Sequence, residues 1–567
     1  MITRREILQV GAAAAASASG LAGGLSGFTR AMAQQKLTQD QLLQFDNFGN
    51  ITLLHMADLH GQLVPVTLRE PSQNIGVGDA KGLPPHIEGA AFLKHFGIAP
   101  RSAQAYALSS EDFNALAKTY GRIGGLDRMA TVVKSVRAAR GADRVLFLDG
   151  GDTWQGSLGA YRTKGQDMVD CVNLLKPDAM TGHWEFTYGE ARVKEIIEKL
   201  QFPFLALNVR DTEWQEPVFE PYKIFDKGGV KVAVLGEAFA YTPVANPRWM
   251  IPKWSFGIRE DDVRSNVVKA RKEGAQLVVL LSHNGFDCDR KLASRVEGID
   301  VILTAHTHDA LPEVVKVGKT LLVASGSHGK FISRLDIDVQ GMAVNGFRYK
   351  LIPLFADAIT PDPEMAQMIT KVRLPFAQEL SRVVGRTDTA LYRRGTLAGS
   401  FDDLICDAIL TERDAEIALS PGFRWGTSLP AGSDITIEDI HNATAMTYPQ
   451  VYRQTMNGAR LKEVLEDVAD NLFNPDPYYQ QGGDMVRTGG IGYRLDINKP
   501  IGERISEMTH LKSGKPIDAA TDYTVAGWAS VNEGTEGPPV WDLVEKHVAA
   551  LKTVKIAPNT SVKLVGA

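Results

Sequence analysis

Phe147-Leu148-Asp149-Gly150-Gly151-Asp152 is an apolar run that closes on two acids held apart by a pair of glycines. Continuous apolar character from Val145, without polar alternation, predicts a strand covered on both faces. The glycines turn the chain out of that strand, which leaves Asp152 at its carboxyl end. Outward from it, short apolar runs at 51–56, 203–207, 231–235, 276–281, 301–303 and 320–324 alternate with amphipathic stretches at 126–140, 190–200 and 262–274. Buried strands alternating with helices predict an α/β domain with a largely covered sheet.

The other bounds follow from composition. The 567 residues carry 62 Lys+Arg against 67 Asp+Glu, a net charge of −5, with 44% hydrophobic residues. A duplex-DNA binder shows a basic excess, so nucleic acid is excluded as the main partner. Three cysteines, Cys171, Cys288 and Cys406, cannot build a disulfide framework. Length alone suggests three to four domains. The pattern gives two: one over residues 34–355, a linker with a connecting helix at 356–382 (Thr360-Pro361-Asp362-Pro363 opens it), and a second over 383–567. Residues 63–119 break the first domain's periodicity with Pro71, Gly76, Gly78, Gly82, Pro84 and Pro85. The apolar residues Phe92, Leu93, Phe96 and Phe113 predict an ordered lid or partner-binding insert there.

At the amino end, Arg4-Arg5 precedes an Ala- and Gly-rich apolar stretch, and Ala31-Met32-Ala33 has the small-x-small form of a cleavage site. A membrane anchor is disfavoured, because Ala and Gly carry little transfer free energy and no charged stop-transfer flank follows. Residues 1–33 read as a twin-arginine export signal, with a periplasmic mature chain and no stable membrane association.

Five of the twelve histidines stand at or just past expected strand ends. Asp58 and His60 follow the run 51–56, Asp152 the opening stretch, and His183 lies in Gly182-His183-Trp184-Glu185-Phe186. His283 ends a strand, and His306 and His308 follow another. Ligands of open α/β sheets bind beyond the carboxyl ends of strands, so these seven residues are expected to converge. His55, inside a strand, reads as core, and Cys288 as a buried structural thiol. Two carboxylates and five imidazoles are too many for one ion and suit two, with Asp152 bridging. Such donors favour Mn, Zn or Fe and require no thiolate. Two divalent ions exceed the charge of two aspartates, which predicts hydrolysis of an anionic phosphoryl or sulfonyl centre.

The set resembles the calcineurin-like metallophosphoesterases, specifically the two-domain 5′-nucleotidases. Gly124-Gly125-Leu126, Phe202-Pro203-Phe204-Leu205 with Asn208-Val209, and Met456-Asn457-Gly458 with Leu461 and Leu465-Glu466 extend the likeness over most of the chain. It implies a four-layer αββα sandwich followed by an α+β substrate domain. It also implies one metal on Asp58, His60, Asp152 and His308, and another on Asp152, His183, His283 and His306.

Two regions depart from the nucleotidase pattern. Where that family has Gly-Asn-His-Glu-Phe-Asp, this chain has Gly182-His183-Trp184-Glu185-Phe186-Thr187. His183 still offers a donor, but the catalytic His is Trp184 and its orienting Asp is Thr187. Tryptophan cannot exchange a proton as acid or base. The loss suits a leaving group stable as an anion, and a thiol has a reference pKa of about 8.5. In the second domain the base-binding segment is replaced by Gly527-Trp528-Ala529-Ser530-Val531-Asn532-Glu533. The arginine-bearing segment becomes Ser420-Pro421-Gly422-Phe423-Arg424-Trp425-Gly426, with Arg424 as a candidate anion clamp. Residues 482–490 read as a tight turn beside it. Together with the insert and export signal, these departures resemble the SoxB family of thiosulfohydrolases. That resemblance implies two manganese ions (zinc being possible), a cysteine-linked substrate on the carrier protein SoxYZ, and release of sulfate. A 5′-nucleotidase or phosphodiesterase is the alternative activity. A non-catalytic metal-binding partner is the reading from another class. Glu185 and His328 are expected either behind the metals or in surface hydrogen bonds.

Overall fold

A computed structural model describes residues 37–566. The expected export signal at residues 1–33 lies outside them, and among the described residues no helix is long and apolar enough to cross a membrane.

Two sheets face each other in the first domain. One has the order Ala343–Pro353, Phe331–Gln340, Ile51–Met56, Val145–Asp149, Ala179–Met180. The other runs Val315–Val317, Thr320–Ala324, Val301–Thr304, Leu277–Ser282, Val230–Glu237, Tyr222–Lys227. Strand parity divides their apolar residues into two layers, because alternate side chains point to opposite faces. Ile51, Leu53, Leu146, Leu148, Val232, Val234, Leu277, Val279, Val301, Leu303 and Val323 form one buried cluster between the sheets. The intervening residues pack outward. Leu54, Met56 and Phe147 share a cluster with Leu126, Met129 and Val133 of the helix Leu126–Arg140, which also holds Leu280 and Ile302 with Val263 and Leu292. The result is the expected αββα stack. Both faces of the central strands are apolar because both are covered.

The second domain contains a mixed four-stranded sheet, in the order Val451–Asn457, Asp522–Trp528, Ile417–Gly422, Asp484–Gly489. The helices Ser400–Glu412 and Gly458–Phe473 contribute Leu404, Ile405, Leu461 and Leu465 to the cores on its two sides. Between the domains, Asp362 accepts from the Met365 amide (3.1 Å) and Pro363 occupies the first turn, which starts the helix Pro363–Arg373.

Three expectations need correction. The run 203–207 forms only isolated bridges, Met180 to Phe204 and Leu205 to Glu220, because Pro203 has no amide to donate and its neighbour strand ends at Met180. The hairpin Phe331–Gln340 and Ala343–Pro353 is missing from the strand pattern; the outer strand is half exposed and reads as polar. Residues 482–490 are a turn only at Gly482-Gly483; Asp484–Gly489 is a strand paired with Ile417–Gly422. The insert is ordered, with helices Gly89–His95, Ala103–Leu108 and Phe113–Tyr120. Its first part lies along the second domain: the Ile75 amide donates to Thr396 Oγ1 (3.1 Å) and the Arg69 amide to Ser428 Oγ (3.1 Å).

Candidate metal centre

Parallel register aligns the carboxyl ends of Ile51–Met56, Val145–Asp149 and Ala179–Met180 in one sheet, and of Leu277–Ser282 and Val301–Thr304 in the other. The segments leaving those five ends bring all seven expected donors together. Asp58, His60, Asp152 and His308 offer atoms within 4.8 Å of one another, as do Asp152, His183, His283 and His306. All seven are buried, and Asp152 belongs to both groups. The geometry therefore shows two buried Asp/His clusters sharing one carboxylate, as a dinuclear metal site requires.

The loops are tied to each other before any ion is considered. The Asp58 and His60 amides donate to the Gly151 and Asp152 carbonyls (both 2.8 Å), and the His306 amide to Asp58 Oδ1 (2.9 Å). His283 Nδ1 lies 2.6 Å from the Gly150 carbonyl, which turns Nε2 toward Asp152 Oδ2 at 3.1 Å. Asp58, His60, Asp152, His306 and His308 all have positive φ, between 48° and 75°. Non-glycine residues adopt that region at a cost, and clustered strain of this kind accompanies functional loops.

The donors fit a metal on their own chemistry. Asp58 Oδ2, Asp152 Oδ2, both nitrogens of His183 and His283 Nε2 are buried without a hydrogen-bond partner, and His60 Nε2 and His308 Nε2 face each other at 3.0 Å beside Asp152 and Asp58. Such groups are costly to bury unless a ligand satisfies them. Burial alone would raise the Asp152 carboxyl, but the charges of His283 and His183 overcome this and hold it low. Burial opposes charge on His283 too, yet Asp152 and Asp58 raise it to about 10. His60 is lowered to about 4, chiefly by burial.

Behind the donors, Glu185 is fully buried, so its surface reading is excluded. Its carboxylate accepts from the amides of Thr153 (2.6 Å), His183 (2.8 Å) and Asp152 (3.2 Å), joining the two loops at the centre of the site. His328 is buried as well: its amide donates to the Asp58 carbonyl (2.7 Å) and its Nε2 accepts from the Gly426 amide (3.0 Å). His55 is core, with Nδ1 2.6 Å from Ser325 Oγ, and Cys288 is a buried free thiol.

A cavity of about 450 Å³ opens over Asp152, His183, His306 and His308, between the domains. Trp184 forms part of its wall; its amide donates to Asp152 Oδ1 (2.7 Å) and its ring meets Phe423 edge-on at 5.2 Å. Thr187, at the other altered position, donates to the Trp184 carbonyl (2.8 Å). The second domain adds Phe423, Arg424, Trp425, Tyr448, Tyr452 and Trp528. Arg424 is there, but Nε is paired with Asp484 (3.2 Å) and Nη1 donates to the Thr307 carbonyl (3.1 Å). Gly482 (φ 72°) is required by close approach: a β-carbon there would collide with His306 Nε2, which meets the Gln481 carbonyl at 3.0 Å. Sequence reasoning missed Arg394, which donates to the Thr307 and His308 carbonyls. Its only signal was an Arg393-Arg394 pair among turn residues.

This is a hydrolase of the metallophosphoesterase fold, in the two-domain form of the 5′-nucleotidases. Residues 383–543 match the model of the 5′-nucleotidase C-terminal domain. The bovine 5′-nucleotidase is 24% identical over 449 residues, 70% of this chain and 75% of its own. A 5′-nucleotidase precursor structure from Thermus thermophilus superposes with a TM-score of 0.72 at 20% identity, covering 91% of this chain and 99% of that one. The structure of the Thermus thermophilus sulfate thiohydrolase SoxB in complex with glycerol gives a TM-score of 0.89 at 35% identity, with 92% and 98% covered. Within the class, the chain belongs to the SoxB family.

Proposed function

We propose that this chain is a thiosulfohydrolase that cleaves the terminal sulfonate, as sulfate, from a thiosulfonated cysteine on a carrier protein of the SoxYZ type. The observation that carries the reading is Trp184: it stands against Asp152 in the cavity wall, where a nucleotidase places its proton-donating histidine. Asp58, His60, Asp152 and His308 would hold one divalent ion, and Asp152, His183, His283 and His306 the other, manganese being preferred over zinc. When bound, the pair supplies an acidified water and neutralises the anion's charge.

The chain's own groups do the rest. Glu185 keeps the Asp152 and His183 loops in register through their amides. Arg424, held through Nε by Asp484 and through Nη1 by the Thr307 carbonyl, keeps Nη2 for a sulfonate oxygen. Trp184 and Phe423 exclude water without offering a proton, so the leaving group departs unprotonated. Water adds an oxygen to the terminal sulfur, the sulfur–sulfur bond breaks, its electron pair stays on the carrier persulfide, and two protons go to solvent. The export signal expected at residues 1–33 would place this reaction in the periplasm. The insert at 63–119, lying along the second domain, is the expected docking element for the carrier.

The test compares sulfate release from thiosulfonated carrier with phosphate release from AMP, using one manganese-loaded preparation. Sulfate release abolished by chelation is expected. Efficient AMP turnover with no sulfate release would instead establish the nucleotidase alternative. Failure of both, with metals bound, would point to a non-catalytic role.

A further inference from the structure

The turn carrying His306 and His308 has little backbone structure of its own. Both residues are left-handed, at φ 75° and 60°, and the turn contributes one donor to each metal group. The carbonyls of Thr307 and His308 are held from the other domain. Arg394 Nη2 donates to Thr307 O (3.1 Å) and Nη1 to His308 O (3.0 Å). Its charge is matched inside the seam: Nη1 also reaches Glu70 Oε2 (3.2 Å), whose Oε1 accepts from Lys330 Nζ (2.8 Å), and Asp309 lies 3.7 Å away. Arg394, Glu70, Lys330 and Asp309 are all buried. A guanidinium bridging two successive carbonyls fixes the peptide between them, as no single-point cation can.

We propose that Arg394 is a positioning residue for the metal centre, so that the first domain's donors reach their binding geometry only with the second domain's arginine in place. The inference rests on the dinuclear reading of the two Asp/His clusters but not on the identity of the substrate. Because the turn serves both groups, losing the fork should weaken both ions together.

Full chain freed of metal is titrated with Mn²⁺ by calorimetry, and the loaded protein is examined by electron paramagnetic resonance for a spin-coupled pair. Wild type should bind two ions with a coupled spectrum. Arg394→Gln should bind both about tenfold to a hundredfold more weakly, the usual span for groups that orient ligands, and lose the coupling. Arg394→Lys, which keeps the charge beside Glu70 but reaches one carbonyl, should fall between; it carries the same test if the glutamine variant does not fold. Arg69→Gln is the control, removing the cross-domain contact of Arg69 over Tyr392 (4.1 Å) without touching the turn; it should bind like wild type. Wild-type affinity and coupling in both Arg394 variants, with only a lower melting temperature, overturn the proposal. Fewer than two ions on wild type would overturn the dinuclear reading along with it.

Discussion

Two buried charge clusters, one in each domain, are satisfied in opposite ways. In the second, Arg393, Asp402, Asp484 and Arg487 form a closed network. Arg393 pairs with Asp402 (2.8 Å), Arg487 with Asp402 and Asp484 (both 3.2 Å), and the remaining guanidinium hydrogens go to the Ala443, Pro421, Thr396 and Gly395 carbonyls. In the first, the Asp and His side chains at the strand ends converge and keep buried atoms without partners. A satisfied network is architecture, whereas one that stays open after folding reserves its donors for a ligand. The difference separates two kinds of buried charge cluster without reference to any relative.

The sharpest way to break the comparison is Asp152→Asn. Asp152 is the residue shared by both clusters, so the amide should cost about 10³-fold or more in metal-dependent hydrolysis, read as sulfate release at matched protein concentration. The melting temperature of the metal-free protein should fall only modestly, because the amide gives up the pairing of Asp152 with His283 and His183 but also relieves its repulsion with Asp58. A large fall would make the open cluster architectural after all. The closed network should respond in reverse. Asp402→Ala leaves Arg393 and Arg487 buried with a lost partner, and should cost about 3–5 kcal/mol in urea unfolding, while both Mn²⁺ ions still bind the folded fraction.

The open cluster was the most legible feature of the chain. Every donor but His183 follows an apolar run that reads as a covered strand, and strand ends on one edge must meet; the strand before His183, Ala179–Met180, is too short to announce itself. The covered α/β sheet was legible for the same reason, whereas the four-layer αββα order came from the family resemblance. The hairpin Phe331–Gln340 and Ala343–Pro353 was not, since a half-exposed strand carries lysine, arginine and asparagine that read as loop. Glu185 was legible only as one of two readings and Arg394 not at all, because both act through backbone amides and carbonyls, whose positions no side-chain pattern announces. The closed network was equally hidden: four charged residues scattered from 393 to 487 look like surface until the sheet brings them together.

Trp184 stands where the two regions meet, with its amide on Asp152 and its ring on Phe423. Trp184→His with Thr187→Asp would supply an acid and its orienting carboxylate. General acid catalysis contributes about 10²–10⁴-fold when well placed, and an unoptimised pair should recover about tenfold of phosphomonoesterase activity. Sulfate release should not rise in parallel, because a persulfide gains little from protonation. No gain with AMP, in a variant that still binds two ions, would remove the leaving-group argument.

The smallest effect concerns a histidine outside the open cluster. His441, on the helix Ile437–Thr444, is buried with its ring 5.0 Å from that of Trp541 and Nδ1 without a partner. Burial, aided by the charge of Arg162, lowers it to about 4. The first domain's His283 is buried too, but two carboxylates carry it to about 10. A folded pKa below the unfolded value of about 6.5 means the neutral ring is favoured by folding. The stabilisation is therefore complete above the unfolded value and is lost as pH falls from there toward 4. Between about pH 7.5 and about pH 5 this should cost on the order of 2 kcal/mol, absent in His441→Phe. Urea unfolding of both proteins with metals bound isolates the term, since the other histidines contribute equally to each. Equal slopes would mean that the His441 ring finds a proton acceptor when charged, and that the second domain's burial is less closed than its arginine network implies.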